Sequence, residues 1–363
     1  MTQLSSTLPP RLQNNSNYTS AYNQIRGLEN SLQTRINAGE TLRSDMIACR
    51  ILGNLIHFAP TDEARSAVVR DILSAGGDSE KMLDSGKRYF EHLLRIFKSN
   101  KGQIPTPSNH ASRPSFDRKV DMMADLLDDA PLSHSTAKKR VLSSRIPIPG
   151  TLLILHQALV RDGYRCVITG AYDFPSIDKC PELMEEAGPD ASCAFTELCH
   201  IFSASTSVSL ENGDKRTYAA TAYTIAESFG YTTIQQDLNG EKIHRLENVM
   251  TMSTDIHRFF DGLKFWLVQV GQDTYKVETF NQVVNRLHGG REVKFTTENP
   301  EELPVPSPDY LALHAACAKV AHLSGAAEYI ETILRDAEEI PVLAADGSSG
   351  EVLTHLLRHV VAH

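Results

Sequence analysis

The chain has 363 residues, with 36 basic and 45 acidic side chains, a net charge of -9 and 41% hydrophobic residues. That length allows two or three units of ~150 residues with a sizeable core, which excludes a mini-protein held together by staples. The acidic total excludes a chain-wide positive field for nucleic acid or anionic lipid, so any phosphate contact has to be local.

The six cysteines show no CxxC spacing, and the polar start has no apolar signal segment. Both features predict a reducing, intracellular setting, nucleus or cytoplasm, and not secretion. The longest apolar stretch, 151–160, holds His156 and Gln157 and is about half of a ~20-residue span, so no membrane anchor is expected.

Residues 1–20 are rich in Ser, Thr, Asn and Pro, lack periodicity, and are expected to be disordered. A helical region is predicted over 21–130. Within it Met46, Ile47, Cys49, Ile51, Leu52, Leu55 and Ile56 recur at helical steps. Pro60-Thr61-Asp62-Glu63 supplies an N-cap and first-turn acids, and Gly76-Gly77 stops the helix they start. A third helix carries Met82, Leu83, Tyr89, Phe90, Leu93, Leu94 and Phe97 as an apolar stripe, with Glu91 and Arg95 paired on its other side. Residues 100–115 read as a linker and 116–129 as a short acidic amphipathic helix.

A basic segment over 131–160 then reverses the overall sign of charge. Lys138, Lys139 and Arg140, with Arg161 and Arg165 beyond them, are candidate nucleic-acid contacts; a solvated helix face has the same pattern. From 164 the period shortens. Residues 165–169 are predicted as a strand ending at Gly170. Over 195–202 the residues alternate, with Thr196, Leu198, His200 and Phe202 on one face and Glu197, Cys199 and Ile201 on the other. A helix over 215–229 closes at Gly230, and 246–252 is extended. Ser253-Thr254-Asp255 caps a short helix over 256–260 that Gly262 ends. Strands over 264–270 and 274–280 flank the turn Gly271-Gln272-Asp273, with Trp266 read as core packing. A linker is expected over 286–308, continuing into the Pro-rich stretch 299–309, and a helical region over 309–363.

One constellation carries chemistry. His200 near a strand end, Asn248 entering a new element and His257 nine residues later on a capped helix can converge on one point. With RDGYRCVITG (161–170), ELCHIF (197–202) and ENVMTMSTDIHRFFDGLKFWL (247–267) in that order, and with an Asn-x8-His spacing, the sequence resembles the HNH endonuclease family, in particular its fungal members. The likeness covers about 161–280, within a nuclease unit placed at 161–285, and is weaker at STAKK (135–139) and 311–330.

The resemblance implies an α+β chain with a ββα-metal (His-Me finger) core between α-helical N-terminal and C-terminal segments. It implies a metal-dependent hydrolase that cuts phosphodiester bonds of nucleic acid, DNA first and RNA second. On it, His200 is the general base, an imidazole of ordinary pKa ~6.5. Asn248 holds the loop and orients that imidazole, and His257 is a ligand of a divalent Mg, Mn or Zn ion. Asp261, four residues on, lies on the same helical face and could share the ion. Cys199 stands where many members carry Asp or His; as a ligand it would bias the site toward zinc, with Glu197 on its strand face as a substitute. Cys166, Cys180, Cys193 and Cys199 lack the spacing of a structural zinc site, and His355, His359 and His363 read as a solvated helix face.

In the family STAKKR runs almost directly into ALVRDGYRC, so 141–157 is read as an insertion. A Val codon begins with GT and a Gln codon can be CAG, the ends of a short retained intron. A second class of function, motivated by Cys199 and the acidic charge, is a catalytically inactive HNH scaffold that binds nucleic acid or protein.

Overall fold

The computed structural model describes residues 2–97, 150–203 and 213–339, with the side chains of 150–153, 213–215 and 333–339 left aside. The predicted linker at 100–115, the acidic helix at 116–129, Lys138, Lys139 and Arg140, and the histidines at 355, 359 and 363 all lie outside the described residues.

The fold is α+β, with small sheets set among helices. The N-terminal region contains α1 (Pro10–Gln13), α2 (Ser16–Asn37), α3 (Arg43–Phe58), α4 (Asp62–Ser74) and α5 (Ser79–Tyr89), the last continuing through a π turn at Phe90–Leu94. Thr61 caps α4 by accepting from the Ala64 amide, as its sequence position suggests. Gly86 lets α5 lie against α3, because a Cβ there would collide with the Ala48 carbonyl.

The expected disorder of residues 1–20 is corrected. Asn15 caps α2 through its side chain, and Leu4, Leu8 and Leu12, spaced four apart, are buried. The Leu4 amide donates to the Glu29 carboxylate, which is itself buried and paired with Arg50 at 2.6 Å. Glu91 and Arg95 do pair, at 2.7 Å, but in the interior rather than on a solvent side. Tyr218 from the later half covers them and donates to the Glu91 carbonyl.

The central segment begins with α6 (Gly150–Arg161), a single helix whose Ile154 packs with Ala158, Leu246 and Val249; the first part of the expected insertion, 141–149, lies outside the described residues. The predicted strand at 165–169 is a turn instead. Gly163 and Tyr164 take positive φ (63° and 54°), as does Gly170 (75°), and only an isolated bridge from Arg165 to Tyr172 remains. β1 (Tyr172–Asp173) pairs in parallel with β2 (Cys193–Ala194), and α7 (Phe174–Lys179) and α8 (Pro181–Ala187) lie between them.

β3 (Thr196–His200) runs antiparallel to β4 (Val249–Ser253), with His200 opposite Val249. Between these strands come α9 (Gly213–Ser228), α10 (Ile234–Leu238) and two 3-10 turns, Gly240–His244 and Leu246–Asn248. α11 (Thr254–Asp261) follows β4 directly and Gly262 ends it, as predicted.

β5 (Trp266–Gly271) and β6 (Thr274–Glu278) form the expected hairpin, and Trp266 is buried. After α12 (Gln282–His288), the expected linker at 286–308 contains a third strand, β7 (Glu292–Lys294), which pairs with β6 and buries Val293 and Phe295. α13 (Pro308–Ser324) and α14 (Ala326–Glu339) close the fold. One hydrophobic core runs through both halves, from Ile51 and Phe97 to Phe202, Phe260 and Cys317. Among the described residues no helix is long and apolar enough to cross a membrane.

Candidate metal centre

β3 is flanked by β4, so its side chains alternate between two environments. Cys199 is buried and Glu197 is exposed at the strand's outer end, both on the face toward α11. α11 is amphipathic: Ile256 and Phe260 face the core, which leaves His257 and Asp261, one turn apart, at the strand. Cys199 Sγ, a His257 ring nitrogen and an Asp261 carboxylate oxygen lie within 4.8 Å of one another. Donors so placed need only a small adjustment to share an ion at bonds of ~2.0–2.3 Å.

Two further observations bear on whether an ion fits. His257 Nδ1 lies 2.8 Å from Glu197 Oε2. A carboxylate only accepts, so Nδ1 carries the hydrogen, and Nε2 faces Asp261 Oδ2 at 3.4 Å, an opposition that a second ring hydrogen or a cation between them would satisfy. This is the arrangement in which a carboxylate fixes the tautomer of a ligating histidine. Glu197 therefore orients His257 rather than substituting for Cys199. Burial, helped by the nearby Asp261 and Glu197 charges, pushes the Cys199 thiol well above its ordinary value, so a bound cation would be what displaces its proton. The residues fit a divalent ion, with three protein donors.

Asn248 is fully buried. Its Oδ1 accepts from the Phe202 amide at 2.9 Å, and its Nδ2 donates to the carbonyls of Phe202 at 3.1 Å and Ile243 at 2.8 Å. It holds the loop as expected, but through backbone groups. The expected direct orientation of the His200 imidazole is corrected: the side chain against His200 Nε2 is His244, whose Nδ1 stands 2.9 Å away. Sequence reasoning missed His244. The only available signal was a histidine four residues before Asn248, which periodicity does not mark.

Arg161 is corrected as a nucleic-acid contact. Its side chain is 0% exposed. Its guanidinium donates to both Asp162 oxygens and to the carbonyls of Leu246, Val249 and Pro304, so it buttresses β4 from within. Arg165 remains at the surface, over the Tyr172 ring at 4.0 Å and paired with Glu186. A cleft of about 680 Å³ beside it is also lined by Lys294, Glu186 and Glu298, so its charge is mixed.

Residues 166–268 match the family model described as HNH endonuclease. The matched segment contains β3, β4 and α11 with every member of the candidate metal centre, and it is similar to an HNH endonuclease domain. No match was found among curated proteins or among solved structures.

Proposed function

We propose that β3, β4 and α11 form the ββα-metal core of a divalent-metal-dependent endonuclease that hydrolyses phosphodiester bonds of DNA or RNA. The observation that carries this reading is the convergence of Cys199, His257 and Asp261 inside the segment that matches the HNH endonuclease family. When bound, the ion supplies a Lewis acid for the charge that grows on the phosphoryl and leaving oxygens.

The chain's own residues do the rest. Cys199, His257 and Asp261 hold the ion, and Glu197 keeps the His257 ring turned so that Nε2 faces it. His200, the next residue after Cys199, accepts the proton of the attacking water as general base. Asn248 keeps the chain after His200 in place. A set of thiolate, imidazole and carboxylate suits zinc better than magnesium or manganese, which favour oxygen donors. Arg165, with Lys138, Lys139 and Arg140, supplies phosphate contacts.

A second reading, a catalytically inactive HNH scaffold that binds nucleic acid or protein, draws on Cys199, whose thiol stays protonated until an ion displaces its hydrogen. Incubation of the full chain with supercoiled plasmid and Mg²⁺, Mn²⁺ or Zn²⁺ separates the two. The nuclease reading expects nicking that EDTA abolishes and that His200→Ala lowers to a small residual rate. Retention of plasmid without nicking in any of the three ions would favour the scaffold.

A further inference from the structure

The segment between β3 and β4 does more than connect them, because it delivers a second imidazole to the first. His200 Nε2 and His244 Nδ1 lie 2.9 Å apart, with ring centroids at 5.0 Å and planes at 70°. His244 is 6% exposed and ends the 3-10 turn Gly240–His244. That turn is pinned on both sides. The Ile243 carbonyl accepts from Asn248 Nδ2, and the following Arg245 is tied to Asp237 at 2.8 Å and to Glu247 at 2.6 Å. Since the same Asn248 amide grips the Phe202 backbone, one side chain sets the spacing between the chain that bears His200 and the turn that bears His244.

We propose that His244 is a positioning residue for His200: its Nδ1 fixes the rotation of the His200 ring and the ring nitrogen that carries the hydrogen. This rests on the reading of His200 as general base. Two neutral imidazoles this close share one hydrogen. With it on His200 Nε2, the His200 Nδ1 is the basic nitrogen, and turning the ring over would break the bond. Fixing an imidazole's tautomer through its other nitrogen is how outer partners tune a functional histidine, and losing such a partner costs ~10–100-fold in activity. An Asn at 244 can put an amide group where Nδ1 stands, whereas a Leu of similar bulk cannot.

The test compares His244→Leu and His244→Asn in the full chain, in wild-type and His200→Ala backgrounds, by plasmid nicking with Mn²⁺. For His244→Leu, kcat should fall ~10–100-fold with KM unchanged, while His244→Asn should stay within about threefold of wild type. In the His200→Ala background, His244→Leu should add nothing. Equal slowing by Leu and Asn, an effect on KM alone, or additivity with His200→Ala would overturn the proposal.

A second measurement needs no activity. Imidazole ¹H–¹⁵N long-range correlations of the histidine-labelled chain should show His200 as one tautomer in wild type and in His244→Asn, and as a mixture in His244→Leu. A mixture already in wild type refutes the positioning role. A single tautomer in a chain that nicks no nucleic acid refutes the nuclease reading while leaving the contact in place.

Discussion

Asn248→Ala removes a side chain that is fully buried and satisfies three backbone groups: the Phe202 amide, the Phe202 carbonyl and the Ile243 carbonyl. Each buried group left without a partner costs roughly 1–3 kcal/mol, so losing all three should cost about 3–9 kcal/mol, a large part of an ordinary domain's stability. Asn248→Asp is a sharper probe of the same geometry. One carboxylate oxygen can still accept from the Phe202 amide, but the other faces two carbonyl oxygens and has no hydrogen to give. It should therefore be destabilised at least as much as the alanine variant at neutral pH. Urea unfolding followed by tryptophan fluorescence suits the measurement, because the single Trp266 is buried on β5 in the same core. A loss of under about 1 kcal/mol for Asn248→Ala, or a more stable Asn248→Asp, would refute the assignment of amide oxygen to the amide and amide nitrogen to the carbonyls.

Two further perturbations follow from buried charges. His314 is stacked on Phe260 at 3.9 Å and edge-on to Phe97, and burial pushes its pKa from 6.5 down to about 3. Between those values the unfolded chain binds the proton that the folded chain refuses. This contribution is therefore fully present above pH ~6.5 and is lost as pH falls, by up to about 5 kcal/mol near pH 3. His314→Leu should remove most of that slope from urea midpoints taken at pH 7 and pH 4, and an unchanged slope would count against it. Arg161→Met should cost ~3–5 kcal/mol in urea, because Asp162 stays buried with its charge uncompensated. It should leave the salt dependence of nucleic-acid binding untouched, whereas Arg165→Ala should reduce the logarithmic salt slope by about 0.9.

The parts of the site legible in the sequence were those written in local chemistry. Ser253-Thr254-Asp255 and Gly262 bracket α11 as helix-start and helix-stop residues, although Ser253 makes no side-chain cap bond, and the i,i+4 spacing alone puts His257 and Asp261 on one face. The alternation over 195–202 places Cys199 with Glu197 because a strand's period is two. The missed features depend on partners distant in sequence. His244 meets His200 across 44 residues, and nothing local distinguishes it from a surface histidine. β7 is three residues long and exists only because β6 offers it an edge. At 165–169 the β-branched residues suggest a strand, but the positive φ of Gly163, Tyr164 and Gly170 bends the chain, and hydrophobicity patterns carry no such information. At the N-terminus polar composition outweighed a three-leucine spacing whose meaning depends on α2 and α3 being there to receive it.

The helix that carries His257 and Asp261 has two sides, and the second explains why the expected unit at 161–285 should not stand alone. His257 and Asp261 face β3, while Ile256 and Phe260 on the opposite face are buried. Phe260 stacks on His314 of α13, and His314 in turn meets Phe97 beyond α5. α9 is fastened to the N-terminal helices twice, by Thr61 Oγ1 donating to the Phe229 carbonyl at 2.6 Å and by Tyr218 on the Glu91 carbonyl at 2.8 Å. A fragment of residues 161–285 would expose Phe202, Phe229 and Phe260 together, and fully burying one such side chain is worth ~1.5–3 kcal/mol. Three of them amount to roughly 5–9 kcal/mol, comparable to the entire stability of an ordinary domain. The fragment is expected to bind hydrophobic dye and to unfold without a cooperative transition, while residues 1–339 unfold in one. A fragment that melts cooperatively would show that the helical flanks are separable from the candidate metal centre rather than its back wall.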